Sequence, residues 1–412
     1  MKRQISFLSN LPDPDALRGV KFSDKIPEVN GHIHTPYSFS AFENIPQIFE
    51  MARKEKVQVV GINDFNVTDG YPEFQYEAVK HNVFPLFNIE FISLLRKEQA
   101  AGIRVNDPNN PGRTYFSGKG LNFPSDPDSQ TREILKDIKR ESNRQTREMC
   151  EKLNDHLKLC NAPFTLSFDK IEKSLAKELV RERHLAKALR IEIDHHYKSY
   201  DAKTDFLFTI YNGVAPVADL ESVNEMENEI RGRLLKKGGA AFVEEDDKAF
   251  LELDQVIDII VKLGGIPCYP VLLDDKKGNF TDYEEDYEKL YQELTSRNIY
   301  ALELIPGRND LDVLKKFVQF FDKQGFTITF GTEHNSPSMI PLKVDCRKHV
   351  LLDDYLRGVS YSGACVIAAH QYLHIKGKEG YLDATGKPKL GERESFIQLG
   401  NDVISHFQKQ NK

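Results

Sequence analysis

The sequence predicts an α/β fold built on a parallel sheet. Two observations carry this. Strand-like and helix-like stretches alternate over residues 28–91 and again over 251–331, the pattern of parallel strands joined by crossover helices. Metal-capable side chains also recur at the ends of these strands, and in a parallel barrel the strand ends meet on one face, where active sites lie.

Residues 1–27 are polar and proline-bearing and read as an arm. The first strand runs into Gly31-His32-Ile33-His34-Thr35. Side chains two apart on a strand point the same way, so both imidazoles face one side and can grip one cation. A helix over 45–54 follows, with Ile48, Phe49 and Ala52 at helical spacing. Strand two, 57–62, runs into Asn63-Asp64-Phe65-Asn66, and a helix over 72–81 leads to strand three, 83–91. That strand is apolar apart from Asn88 and Glu90, and a buried carboxylate is costly unless a cation lies beside it.

The alternation then breaks. Residues 95–127 are rich in Gly, Pro, Asn and Asp and read as loops around a short strand at 113–116. Charged helical segments are expected at 129–160, 169–191 and 218–237. Residues 122–240 therefore read as a mostly helical insertion, because compact domains rarely carry so long a loop without structure of its own. Its charges read as solvated faces. After Leu251 the alternation resumes. A helix over 253–263 stops at Gly264-Gly265; then come strand 266–273, helix 283–297, strand 300–305 with Glu303, and helix 311–324. Strand 326–331 ends in Thr332-Glu333-His334-Asn335. Helical stretches at 363–374 and 395–408 form a C-terminal extension, 346–412, which leaves 28–121 and 241–345 as the barrel.

The chain has 412 residues and a net charge of −7, which argues against a nucleic-acid partner held by general electrostatics. No stretch approaches the ~20 apolar residues of a membrane helix, and Met1–Leu8 lacks the apolar run of a signal peptide. Cys150, Cys160, Cys268, Cys346 and Cys365 form no C-x-x-C pair and read as reduced thiols of a cytoplasmic protein. No motif speaks to the oligomeric state. His and carboxylate donors together suit a divalent cation, Zn or Fe for imidazole and also Mn for carboxylate.

Six motifs occur in a telling order: His32-Ile33-His34-Thr35, Gly61-Ile62-Asn63-Asp64-Phe65-Asn66, Ile89-Glu90-Phe91-Ile92-Ser93, Arg183-His184-Leu185-Ala186-Lys187-Ala188-Leu189, Gly264-Gly265-Ile266-Pro267-Cys268-Tyr269-Pro270 and Gly331-Thr332-Glu333-His334-Asn335. Over about residues 28–340 the chain resembles the PHP (polymerase and histidinol phosphatase) family, in particular phosphoesterases with a helical insertion. The resemblance implies a distorted (βα)7-type, TIM-like barrel with a helical insertion, a C-terminal helical extension and a metal site at the barrel mouth. It departs from the family pattern at Phe65, where Asp-His is usual, at Tyr269-Pro270 for His-Pro, at Glu333-His334 for Asp-x-His, and at Tyr115, which stands near an expected histidine.

The resemblance therefore implies a reduced site. His32, His34, Glu90 and Glu333 form one four-ligand set for Zn, Mn or Fe, with one or two ions in all. His184 is a ligand for a second ion. His334 and Asp64 move protons, and Arg183, Arg308 and Tyr269 meet a small anionic substrate, since guanidinium grips phosphate bidentately. The activity expected is a metal-dependent hydrolase, a phosphoesterase of small phosphorylated or anionic metabolites. Two alternatives remain open: a one-metal carbohydrate hydrolase, lyase or isomerase, and a non-catalytic metal- or ligand-binding module.

Overall fold

The structure is a computed structural model that describes residues 5–17, 19–177 and 179–410. The sequence reading of Met1–Gln4 lies outside the described residues.

Eight strands make the central sheet: β1 Glu28–Ile33, β2 Val57–Phe65, β3 Phe84–Leu94, β4 Arg113–Lys119, β5 Leu251–Glu252, β6 Ile266–Val271, β7 Ala301–Leu304 and β8 Thr327–Phe330. Seven run in the order β1-β2-β3-β4-β6-β7-β8, and the short β5 extends the end of β3. A parallel bridge between Ile33 and Glu333 brings the end of β8 back to β1, where the His34 amide donates to the Glu333 carbonyl at 2.7 Å. The sheet thus curls into a nearly closed, distorted TIM-like barrel.

The helices are α1 Pro14–Leu17, α2 Ile45–Glu55, α3 Tyr71–His81, α4 Arg96–Ala101, α5 Ser129–Leu159, α6 Phe168–Ser174, α7 Glu182–His196, α8 Tyr200–Ile210, α9 Val223–Ile230, α10 Leu253–Lys262, α11 Tyr287–Ser296, α12 Leu311–Lys323, α13 Asp354–Ile375 and α14 Arg393–Gln410. Local chemistry sets many of the ends. Asn44 caps α2 by accepting from the Gln47 amide, and Lys56 and Asn82 close α2 and α3 in the left-handed conformation.

The sheet is not wholly parallel. β4 runs antiparallel to both β3 and β6 and reaches Lys119, beyond the expected 113–116. The link from β3 holds only loops and the short α4, so the chain turns back without a full crossover, and a parallel pair needs one. The expected helix 169–191 is two helices. The segment between them buries Leu179 against Phe65 and Val67 of the barrel, while Val180 enters the core of the insertion; tertiary burial overrides the helical period. Helix α8, capped by Ser199, lies where no element was expected.

Helices α5 to α9 share their own apolar core, including Leu153, Leu157, Leu189, Phe206 and Ile230, apart from the barrel core. The long α13 packs on β8 and β1 and is covered in turn by α14. It shields the seam where the barrel closes. A Cβ at Gly363 of α13 would stand 2.1 Å from the Ile328 carbonyl oxygen of β8. Gly363→Ala should therefore destabilise the protein by at least about 1–3 kcal/mol in urea unfolding, although the same change in an open helix gains stability. No helix among the described residues is long and apolar enough to cross a membrane, and all five cysteines are free.

Candidate metal centre

The end of β1 aims His32 and His34 inward, and β3 delivers Glu90 opposite them. All three side chains are buried. One ligand atom from each lies within 4.8 Å of the others. The His32 and His34 Nε2 atoms are 3.2 Å apart, and the Glu90 Oε2 stands 3.2 Å from His34 Nε2 and 3.9 Å from His32 Nε2.

The hydrogen-bond network fixes what these atoms are. His32 Nδ1 donates to the Glu303 Oε2 at 2.8 Å. His34 Nδ1 lies 3.0 Å from the Ser38 Oγ, whose own proton goes to the Asp64 Oδ1 at 2.6 Å. Ser38 therefore accepts from His34, and both imidazoles carry their proton on Nδ1. Both Nε2 atoms then present lone pairs to each other. The Glu90 Oε2, buried beside them, has no hydrogen-bond partner. With Glu90 ionised, three acceptors face one point with no donor among them, an arrangement that a cation satisfies. Two imidazoles and a carboxylate are donors of the right type for Zn, Fe or Mn.

Electrostatics agree. Burial pushes the Glu90 carboxyl up to about 8; His32 pulls it down, and Glu333 and Glu303 push it further up. Burial holds the His34 imidazole below its ordinary range, against the pull of Asp64 and Glu333. Burial would raise Glu303 too, but Lys119 and His32 outweigh it and hold this carboxyl well below the usual range. Lys119 is completely buried. Its Nζ meets the Glu303 Oε2 and lies 3.1 Å from the Asn63 Oδ1. The Ser117 hydroxyl takes the Glu303 Oε1.

Glu333 stands apart from the trio. It lines the same cavity of about 260 Å³, together with His32, Glu90, Tyr115, Glu303 and Arg308, but its Oε2 is ion-paired with Arg308. Arg308 and the His32 and His34 rings hold Glu333 below the ordinary carboxylate range, against its burial. Glu333 and His334 both have left-handed backbones, with φ of 63° and 55°, the bend that turns the Glu333 carbonyl onto the His34 amide.

Four other expected site residues have different work. Asp64 accepts from the Thr35 amide, the Thr35 hydroxyl and Ser38 at 2.7, 2.5 and 2.6 Å. It positions His34 through Ser38. His334 spends both nitrogens, Nδ1 on Thr332 at 2.8 Å and Nε2 on the Ile340 carbonyl at 2.9 Å, while its ring stacks on Phe42; burial draws its pKa down to about 4. His184 accepts the Arg181 amide at 2.9 Å at the start of α7 and meets Phe39 edge-on; it is outside the trio, with a pKa drawn down by burial to about 3. Tyr269 is buried with its hydroxyl on Glu284 at 3.0 Å and does not line the cavity. Of the two arginines, Arg308 borders the cavity. Arg183 lines an adjoining groove and donates to Asn228 at 3.0 Å. Phe65 stacks on the His34 ring at 4.8 Å.

Asn63, Ser117, Lys119 and the role of Glu303 were missed. Glu303 sits between Leu302 and Leu304, and Lys119 lies two residues from Ser117 on one strand face. A charge inside an apolar strand is the signal that picked out Glu90, and it applies to Glu303; Lys119 ends a largely polar strand and carries no such signal.

No protein-family profile and no curated protein matches the chain. Several solved structures resemble it, among them the following two. One, from Bifidobacterium adolescentis, is named as a metal-dependent phosphoesterase: 14% identity, TM-score 0.51, covering 82% of this chain and 96% of that one. The other is an amidohydrolase from Chromobacterium violaceum with bound sulfate and no metal: 17% identity, TM-score 0.51, covering 81% and 95%. At these identities the likeness establishes the barrel fold.

Proposed function

We propose that the chain is a metal-dependent hydrolase of small phosphorylated or anionic metabolites. The observation that carries this is the convergence of His32 Nε2, His34 Nε2 and Glu90 Oε2, three acceptors once Glu90 is ionised, beside a barrel-mouth cavity that His32 and Glu90 line. These three would hold the ion. A divalent ion there supplies a hydroxide nucleophile near neutral pH and polarises the scissile bond. The remaining work falls to the chain. Glu303 and Ser38 keep the two imidazoles in the ligand tautomer. Arg308 orients the anionic end of the substrate by exchanging Glu333 for it. Glu333, so released on the cavity wall, takes the proton.

The test is hydrolysis of a phosphomonoester panel beside sugar lactones and amides, with Mn or Zn supplied. Phosphoester turnover is expected with metal, and His34→Ala is expected to abolish it. Undiminished turnover in that variant, or metal-independent turnover, counts against the reading.

The proton on Glu90 gives the site a pH dependence. Its pKa is raised from 4.5 to about 8, so below that pH a proton must leave before the carboxylate can bind a cation. Apparent metal affinity should rise about tenfold per pH unit up to about pH 8 and then level off. Calorimetric titration over a pH series checks this, and a flat profile contradicts it.

A further inference from the structure

We infer that the Lys119 ammonium is a built-in cation that limits the centre to a single divalent ion. The inference rests on the metal reading of the trio given above.

Three facts on the inner wall of the barrel support it. First, the antiparallel β4 places Ser117 opposite Glu90 of β3 and opposite Cys268 of β6. Reversal of this one strand carries its last residue, Lys119, inward from the mouth and into the barrel. Second, the ammonium is wholly buried among oxygen ligands, the Glu303 Oε2 and the Asn63 Oδ1 at 3.1 Å, with the Ser117 Oγ on the other Glu303 oxygen. Carboxylate, amide carbonyl and hydroxyl oxygens are what a hard cation takes. Third, Glu303 touches both sites, since its Oε2 also accepts from His32 Nδ1. The ammonium thus stands one imidazole away from the trio.

Charge completes the argument. Lys119 neutralises Glu303, and Arg308 neutralises Glu333. Glu90 is then the carboxylate of the trio left without a cation of its own. One divalent ion leaves the centre with a single net positive charge, matched to an anionic group. A second divalent ion would have to displace or crowd a buried ammonium. Lys119 also holds the Asn63 carbonyl, which leaves the Asn63 amide nitrogen to reach Ser117 at 3.2 Å and to lie over the His32 ring, 3.1 Å from each ring nitrogen. Lys119 is therefore a positioning residue: it acts through Glu303 and Asn63 on His32.

The test is ion stoichiometry of the full chain, stripped of metal and titrated with Mn in a calorimeter. The wild type should take one ion, lost in Glu90→Gln. Lys119→Ala should take two, because Glu303, Asn63 and Ser117 then offer oxygens to a second cation, and Lys119→Arg should take one. Two ions in the wild type, or one in folded Lys119→Ala, overturns the inference while leaving the trio as a metal site. No ion in the wild type removes the trio reading and this inference with it. Should Lys119→Ala not fold, the wild-type count still decides. A second readout on the wild type is the long-range nitrogen–proton NMR signature of His32: the proton on Nδ1 supports the arrangement, and the proton on Nε2 overturns it.

Discussion

Glu90→Gln is expected to lower metal affinity by more than about 100-fold and to leave the metal-free protein as stable or more stable. The first half follows from charge. Glu90 is the only anionic donor of the trio, and loss of partners that merely orient ligands already costs about 10–100-fold. The second half follows from the orphaned oxygen. In the wild type the Glu90 Oε2 is buried without a donor, 3.2 Å from a lone pair on His34 Nε2. A glutamine of the same shape brings an N–H that can donate to that nitrogen at any pH, whereas the carboxyl, which burial pushes up to about 8, can donate only while protonated. Loss of binding with no loss of stability marks a residue kept for function at a cost to the fold. Equal metal affinity in the variant contradicts the assignment. So does a large drop in stability, which would make Glu90 a structural residue.

Glu303→Gln should do the reverse and damage the fold first. It leaves Lys119 charged, wholly buried and without its carboxylate, and breaking a buried pair from one side costs about 3–5 kcal/mol. It also removes the acceptor that holds His32 Nδ1, so metal affinity should fall by about 10–100-fold. Urea unfolding of the metal-free protein gives the first number and calorimetry the second. The double variant Lys119→Met/Glu303→Leu removes both charges together and should recover much of the stability, because apolar replacements of a buried pair are often neutral or better. If Glu303→Gln unfolds at the wild-type urea concentration, the pair does not carry the weight assigned to it.

These two variants separate what was legible in the sequence from what was not. The trio was legible because its signals are local. His32 and His34 share a strand face by spacing alone, and Glu90 is a charge in an apolar strand. The strands and helices bordering them were legible for the same reason, from α2 through β3 and from α10 through β8. The direction of β4 was not, because nothing in Arg113–Lys119 states whether the preceding 95–112 crosses the barrel or turns back. The split between α6 and α7 was hidden by a helical period that continues through Leu179, a residue claimed by the barrel.

The fates of Asp64, His334, His184 and Tyr269 were hidden too. Each belongs to a motif at the end of a strand or the start of a helix, so each looked like site chemistry. Where a side chain points is set by its hydrogen-bond partners: Thr35 and Ser38 for Asp64, Thr332 and the Ile340 carbonyl for His334, the Arg181 amide for His184, and Glu284 for Tyr269. Those partners are recognisable only once the chain has folded. Lys119 and Glu303 show the complement: two buried charges on different strands, each explained only by the other.

The account turns on a divalent ion shared by three side chains from two strands. Anomalous diffraction from crystals grown with Zn addresses it directly. A single peak about 2.0–2.2 Å from His32 Nε2, His34 Nε2 and a Glu90 oxygen is the expected result. Protein that takes up no ion there, or that places it among other residues while this trio stays bare, would contradict it.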